Sequence, residues 1–379
     1  MIEIAMKKGV FRVKKKGIVI LCAVLAVLIA GGGVGYSFLP HPLNYPINQI
    51  EPAGKAALNL IAETEDSVTL QKGDAAPLRI LYFTDMHLDG KNATSKDTVG
   101  NMVKAIQKEQ PDLVLLCGDN VTSGMNRSRC RQLGKIFEQL GVYWGGTLGN
   151  HEGDNGWSIT RDEMTDIFAS FDHCVMRKGP ADIDGNGNYV INLLNAEGKH
   201  MQSVFCLDTF DEVNDEQRAQ YGMTEEDSEY DGAHENQVTW YAQKAEAMKA
   251  DYGEHYKSIM LVHIPLAEYA TAVDGGAEFL YGVKMEGICC TGYDNGLFKA
   301  IKDAGVTRAV YCGHDHNNSF GVEYDGVILS YLETSGYGSY GLHKKGYPEE
   351  EWLQGYSVMD ILDDGTYSFR EETYYNMNR

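Results

Sequence analysis

Positive charge is scarce in this chain. Its 33 Lys and Arg residues face 54 Asp and Glu, a formal net charge of −21 over 379 residues. Binding long nucleic acids requires a basic footprint, so none is expected as a partner. A small phosphorylated substrate stays compatible if bound dications dominate the local field. Metal-knuckle spacing is lacking too, although there are eight cysteines. Cys289 and Cys290 are neighbours, a poor geometry for an ordinary disulfide. Cys117, Cys206 and Cys312 close apolar runs and read as buried thiols, and Cys22 sits in an apolar N-terminal stretch. No internal repeat or low-complexity tract is present, which excludes a repeat array.

What the chain does have is five short polar segments spread between Asp85 and His316. They are Asp85-Met-His87, Gly118-Asp119-Asn120, Gly149-Asn150-His151-Glu152, Val262-His263 and Gly313-His314-Asp315-His316. Each follows an apolar run that reads as a strand buried on both faces: Leu78–Phe83, Asp112–Cys117, Val142–Leu148, Ser258–Val262 and Arg308–Cys312. Helical patterns lie between them. Val99, Met102, Val103 and Ile106 repeat at helical spacing, as do Leu133, Ile136, Phe137 and Leu140. Alternating strands and helices imply an α/β domain, whose sites form at the carboxyl ends of the strands. The five segments fall at those ends.

Their side chains are carboxylates, an amide and imidazoles. Mixed oxygen and nitrogen donors suit manganese, iron or zinc better than calcium or magnesium. One carboxylate, Asp119, can bridge two ions. Two ions about 3.5–4 Å apart clamp a phosphoryl group and can deprotonate a water between them near neutral pH. Glycines beside Asp119, Asn150 and His314 are expected to let the backbone turn sharply toward the ions. Taken singly, each residue has a plainer reading. A lone buried histidine is more often a core residue, and a lone aspartate a turn or cap residue. Recurrence at successive strand ends removes those readings. His314 and His316 reach one side only if their segment is extended, which the preceding strand favours. Asp315 is expected to face away as a supporting or turn residue. His173, His200, His234, His255 and His343 lack such context and read as surface or packing residues; His41 falls in a linker.

Together and in this order, the five segments resemble the signature of the calcineurin-like metallophosphoesterases, which include purple acid phosphatases. The resemblance runs from about Leu78 to the C-terminus. It implies a four-layer α-β-β-α sandwich and a pair of divalent metal ions (Mn, Fe or Zn). Carried over residue by residue, Asp85, His87 and His316 would hold the first metal. Asn150, His263 and His314 would hold the second, with Asp119 bridging. His151 would lie outside the metal shell, stabilising the phosphoryl transition state or protonating the leaving oxygen. His263-Ile-Pro-Leu-Ala-Glu268, and more loosely Leu207-Asp208-Thr209 and Gln237-Val-Thr-Trp240, are similar to the purple-acid-phosphatase-like subgroup of plants and yeast. One departure matters. Purple acid phosphatases carry a tyrosine three residues after the bridging aspartate, and here that residue is Thr122. A purple ferric centre is therefore not expected.

The N-terminus carries a separate message. Lys7, Lys8, Arg12, Lys14, Lys15 and Lys16 precede an apolar stretch from Gly17 to Leu39. At roughly 23 residues it is long enough to span a bilayer. The basic flank predicts a cytoplasmic N-terminus and an exported remainder. The reading favoured is a single-pass signal anchor over residues 1–39, a proline-rich linker over 40–76 and a metallophosphoesterase domain over 77–379. A cleaved signal peptide and a secreted domain is the alternative. Export of a thiol-rich chain would fit a reducing setting, a hypothesis that a folded protein without free thiols would refute. Within the domain, Asp211–Asp231 reads as an exposed acidic insertion near the site, either a solvated loop or a substrate-selecting rim. Gly336–Gly341 is a flexible loop in which Tyr337 or Tyr340 could line the pocket, though a simple turn fits equally. The expected activity is hydrolysis of phosphomonoesters or phosphodiesters of small substrates by a metal-bridging hydroxide. The alternatives are a nucleotidase or nuclease of the same fold, or a non-catalytic metal-bound scaffold.

Overall fold

Side-chain alternation along the strands decides how the layers stack. The computed structural model describes residues 45–53, 58–74, 77–89, 92–122, 125–154 and 159–379. The strands are β1 (Leu58–Glu63), β2 (Ser67–Lys72), β3 (Leu78–Phe83), β4 (Leu113–Cys117), β5 (Tyr143–Thr147), β6 (Tyr189–Leu194) and β7 (His200–Cys206). They continue with β8 (Ser258–Leu261), β9 (Phe279–Lys284), β10 (Thr307–Cys312), β11 (Asn318–Tyr324), β12 (Val327–Tyr331), β13 (Gly355–Ile361) and β14 (Tyr367–Thr373). The helices are α1 (Asn92–Glu109), α2 (Asn126–Leu140), α3 (Arg161–Ala169), α4 (Asp215–Tyr221), α5 (Glu235–Tyr252), α6 (Ala267–Asp274), α7 (Leu297–Ala304) and α8 (Tyr374–Met377).

The strands form a nine-stranded sheet, ordered β1-β2-β6-β7-β8-β10-β12-β11-β9, and a five-stranded sheet, ordered β14-β13-β3-β4-β5. In the larger sheet β7, β8, β10 and β12 run parallel. In the smaller, β3, β4 and β5 run parallel and β13 is antiparallel to β3. The faces of the larger sheet separate by period 2. Val204 and Cys206, Ile259 and Leu261, and Ala309 and Tyr311 point into one hydrophobic cluster with β3 and β4. Their neighbours Phe205, Met260, Val310 and Cys312 point into a second cluster with α5, α6 and α7. Tyr82 of β3 stacks on Tyr311 of β10 with centroids 5.8 Å apart, so the two sheets meet face to face. Val99, Met102, Val103 and Ile106 of α1, and Leu133, Ile136, Phe137 and Leu140 of α2, are buried in the first cluster, as their periodicity predicts. Each such apolar side chain contributes about 1.5–3 kcal/mol on burial. The result is a mixed α/β sandwich.

One expectation changes here, and another is untouched. The proline cluster places residues 58–72 in the linker, yet Leu58–Glu63 and Ser67–Lys72 form β1 and β2, and β2 pairs parallel with β6. The four prolines, Pro40, Pro42, Pro46 and Pro52, all precede β1. Val68, Leu70 and Lys72 are buried and alternate with half-buried residues, a strand signal that the proline cluster masks. The signal anchor over residues 1–39 lies outside the described residues. Among those described, no helix is long and apolar enough to cross a membrane.

Candidate metal centre

All five segments lie just past the carboxyl ends of parallel strands: Asp85 after β3, Asp119 after β4, Asn150 after β5, His263 after β8 and His314 after β10. The two sheets therefore supply opposite walls of one site. Asp85, His87, Asp119 and His316 offer ligand atoms that all lie within 4.8 Å of one another. His87 Nε2 and His316 Nε2 are 3.1 Å apart, and His316 Nε2 is 3.3 Å from Asp85 Oδ1. A second group adjoins the first. Asn150 Oδ1 is 3.1 Å from His263 Nε2 and 3.0 Å from His314 Nδ1. Asp119 Oδ2 stands between the groups, 3.4 Å from His87 Nε2 and 3.3 Å from His263 Nε2. All seven side chains are buried.

The backbone is strained into this arrangement. Asp85 (φ 54°), His87 (φ 42°), Asp119 (φ 51°) and His314 (φ 79°) occupy the left-handed region. Such residues cost about 1–3 kcal/mol each and persist only where the surroundings enforce them. Convergence of His314 and His316 is thus not achieved by an extended segment, as expected from the strand. His314 turns into the left-handed region and faces Asn150 through Nδ1, whereas His316 uses Nε2. The flanking glycines also act differently from the expectation. Only Gly118 has a positive φ, +88°. Gly149 and Gly313 are needed for room: a Cβ would lie 2.2 Å from Asp119 Oδ1 at the first and 2.7 Å from Asp85 Oδ2 at the second.

Hydrogen bonds at the back of the rings decide which nitrogen faces inward. His263 Nδ1 donates to the Cys117 carbonyl at 2.7 Å, and His316 Nδ1 donates to the Tyr340 carbonyl at 2.9 Å. Their Nε2 atoms are left aimed at the carboxylates. Burial opposes charge on Asp85, yet His316 and His263 hold it at about 2. Asp119 is also held low, against burial, by His263 and His87. Burial would neutralise His263, but Asp119 and Asp85 lift it to about 10. Burial dominates at His87 and His314, both pushed down to about 3. Two buried carboxylates demand positive charge, and lone-pair nitrogens crowd around them. This donor set fits cations, which would displace the imidazole protons on binding.

His151 lies outside the cluster, half-exposed. Its Nδ1 is 2.5 Å from Asp154 Oδ2, and its ring centroid is 5.4 Å from that of His87. A cleft of about 390 Å³ opens over the centre, lined by His87, Asp89, Thr122, His151, Asp154, Gly338 and Ser339. Asp315 does face away, accepting hydrogen bonds from Tyr331 Oη at 2.5 Å and from Cys289 N–H. Tyr340 stacks on His316 with centroids 4.2 Å apart, while Tyr337 packs against Tyr374 and His343. The acidic insertion includes α4 and exposes most of its charges, but Tyr230 meets the His314 ring edge-on at 4.3 Å. His173, His234 and His343 make contacts elsewhere.

The supporting roles of two residues, Glu152 and Arg161, are not visible in the sequence. Glu152 is fully buried and accepts N–H bonds from Asp119 (3.0 Å), Asn120 (2.6 Å) and Gly149 (2.8 Å), tying two ligand loops together. Burial and then Asp119 raise its carboxyl to about 7. Its place in the Gly149–Glu152 segment was visible; its role was not. Arg161 donates to the Gly149 carbonyl and pairs with Asp208. Asp208 carries a signal in Leu207-Asp208-Thr209, and Gln237 Nε2 donates to its carbonyl at 2.8 Å, joining the two looser motifs. Arg161 sits in no motif.

The family model for calcineurin-like phosphoesterases matches residues 78–318, most of the chain. The chain belongs to that family. Among curated proteins it is similar to "Probable inactive purple acid phosphatase 14" of Arabidopsis thaliana, 25% identical over 72% of this chain and 67% of that protein. "Probable inactive purple acid phosphatase 28" of the same plant is 25% identical over 80% of this chain and 79% of that protein. Among solved structures, a dimetal phosphatase from Danio rerio shares 14% identity, covering 79% of this chain and 97% of its own with a TM-score of 0.49. The family match spans all five segments, and Asp85, His87, Asp119 and His316 form a group that could hold a metal ion.

Proposed function

We propose that this protein is a dinuclear-metal phosphoesterase acting on small phosphorylated substrates. The observation that carries the reading is the convergence of seven buried donors into two groups sharing Asp119. Asp85, His87 and His316 would hold one ion, and Asn150, His263 and His314 the other. Manganese, iron or zinc suit these donors, and Thr122 on the cleft wall offers no tyrosinate for a ferric centre. Two such ions, when bound, would polarise the phosphoryl group and activate water at neutral pH.

The chain's own residues do the rest. Asp154 holds His151 Nδ1–H, which orients the ring and leaves Nε2 facing the cleft. From there His151 can carry a proton to the leaving oxygen or neutralise charge on the phosphoryl group. Glu152 and Arg161 keep the ligand loops in register. Gly338 and Ser339 line the same cleft. The N-terminal apolar stretch would tether the enzyme to the cell membrane with its catalytic domain outside the cytoplasm.

A catalytically silent scaffold is the second reading, favoured by the word "inactive" in the plant relatives' names. The full-length chain, purified in detergent and loaded with manganese, should be assayed on p-nitrophenyl phosphate and bis-p-nitrophenyl phosphate. Turnover of either supports the enzyme. Failure on both, in protein carrying its metals, would count heavily for the scaffold.

A further inference from the structure

The nine-stranded sheet ends on an edge that the fold leaves uncovered. β9 pairs with β11 on one side and, among the described residues, with no strand on the other. Phe279, Leu280, Val283 and Met285 are 41%, 52%, 45% and 43% exposed. Half of the large apolar side chains exposed among the described residues thus lie in one short run of chain. The strand is nevertheless held firmly from inside. Phe279 stacks on Phe320 with centroids 4.8 Å apart, and Tyr281 Oη donates to the Ser330 hydroxyl at 2.8 Å. An edge strand presents unpaired N–H and C=O groups, and proteins commonly guard such edges with charge or a covering segment. The outer strand of the smaller sheet, β14, exposes Ser368 and Arg370. β9 exposes an apolar strip instead.

Its sequence also matches itself in reverse. The run is Glu278-Phe-Leu-Tyr-Gly-Val-Lys284. Among the described residues neither Glu278 nor Lys284 has an ion-pair partner. Laid antiparallel against a second copy about a twofold axis at Tyr281, Glu278 of each copy faces Lys284 of the other. Phe279 faces Val283. Leu280, the extra residue where the register against β11 slips, faces Gly282, which has no side chain. Opposite charges and apolar pairs across strands both stabilise such a contact. A shift of one residue either way puts Glu278 opposite Val283 or Met285, and Lys284 opposite Ala277 or Phe279. We infer that β9 is the pairing edge of a twofold dimer of this chain.

A twofold contact uses up both edges, so the assembly closes at two copies rather than growing. The seam would lie close to the metal centre. Met285 N–H donates to the Asn317 carbonyl at 3.0 Å, and Asn317 directly follows His316. Pairing at β9 would therefore brace the start of β11, the strand that leaves the ligand segment.

The test is sedimentation of the full-length chain in density-matched detergent at micromolar concentration. Wild type should sediment as a dimer. Glu278→Lys and Lys284→Glu each set like charges opposite one another at both contacts, and each should raise the dissociation constant about tenfold or more. Mixed in equal amounts, these two variants set opposite charges at both contacts and should dimerise again. The double reversal Glu278→Lys/Lys284→Glu should do the same alone. A monomeric wild type would overturn the pairing and leave the strip to a lipid surface or to another protein. A dimer that both single reversals leave intact assembles elsewhere and would also overturn it. Single reversals that weaken the dimer without rescue in the mixture would overturn the register. Neither metal content nor turnover enters the readout, so the result is separate from that of the phosphoesterase reading.

Discussion

Glu152→Gln is the substitution that best separates this architecture from a loose collection of ligands. The change keeps shape but turns one oxygen into an NH2 group. Oε1 accepts the Asn120 N–H (2.6 Å) and Asn120 Nδ2 (3.1 Å); Oε2 accepts Asp119 N–H (3.0 Å) and Gly149 N–H (2.8 Å). Whichever way the amide is turned, two donors lose their acceptor and meet another donor. Hydrogen bonds to charged groups contribute about 1.5–3 kcal/mol each, so the loss is roughly 3–6 kcal/mol. At about 2 °C per kcal/mol for a domain of this size, melting should fall by roughly 6–12 °C. Because the freed donors belong either to Asp119 and Gly149 or to Asn120 beside Asp119, metal affinity should fall too, by about 10–100-fold. Thermal melting with and without manganese, together with metal titration, reads both effects. A variant with wild-type melting and wild-type affinity would refute the idea that Glu152 holds the two loops.

Asp119→Asn and His263→Ala should each abolish turnover and lower bound metal, measured by elemental analysis. His151→Ala should slow turnover while both metals stay bound; loss of metal in that variant would refute its place outside the cluster. His200 packs against the rings of Tyr252 and Tyr256, and burial pushes it down to about 4 from 6.5. A depressed folded pKa means that the unfolded chain takes the proton first as pH falls. Stability should therefore drop between pH 6.5 and 4, by at most about 3 kcal/mol from this residue. Denaturant unfolding of His200→Gln should show that part of the slope removed; an unchanged slope would contradict it.

The site was more legible than its supports. The candidate donors announce themselves because carboxylates and imidazoles recur at the ends of successive buried strands, which separate turn or core roles do not explain. The strands and the helical faces of α1 and α2 were equally plain, since burial imposes periods of 2 and 3.6. Glu152 stands in a visible segment, but its bonds to the Asp119 and Asn120 backbone join another loop, and Arg161 sits in no motif. The left-handed turn at His314 was missed for a related reason: strand propensity predicts extension, but tertiary packing decides the last residue. Strands β1 and β2 were hidden by a proline cluster that ends just before them. Tyr230 was hidden within a stretch whose composition speaks of solvent.

The account stands on two ions among seven side chains. Crystals of the manganese-loaded protein, measured at the manganese absorption edge, would locate them directly. Two anomalous peaks should appear, one among Asp85, His87 and His316 and one among Asn150, His263 and His314, with Asp119 between them. A single peak at full loading, or peaks away from these residues, would contradict it.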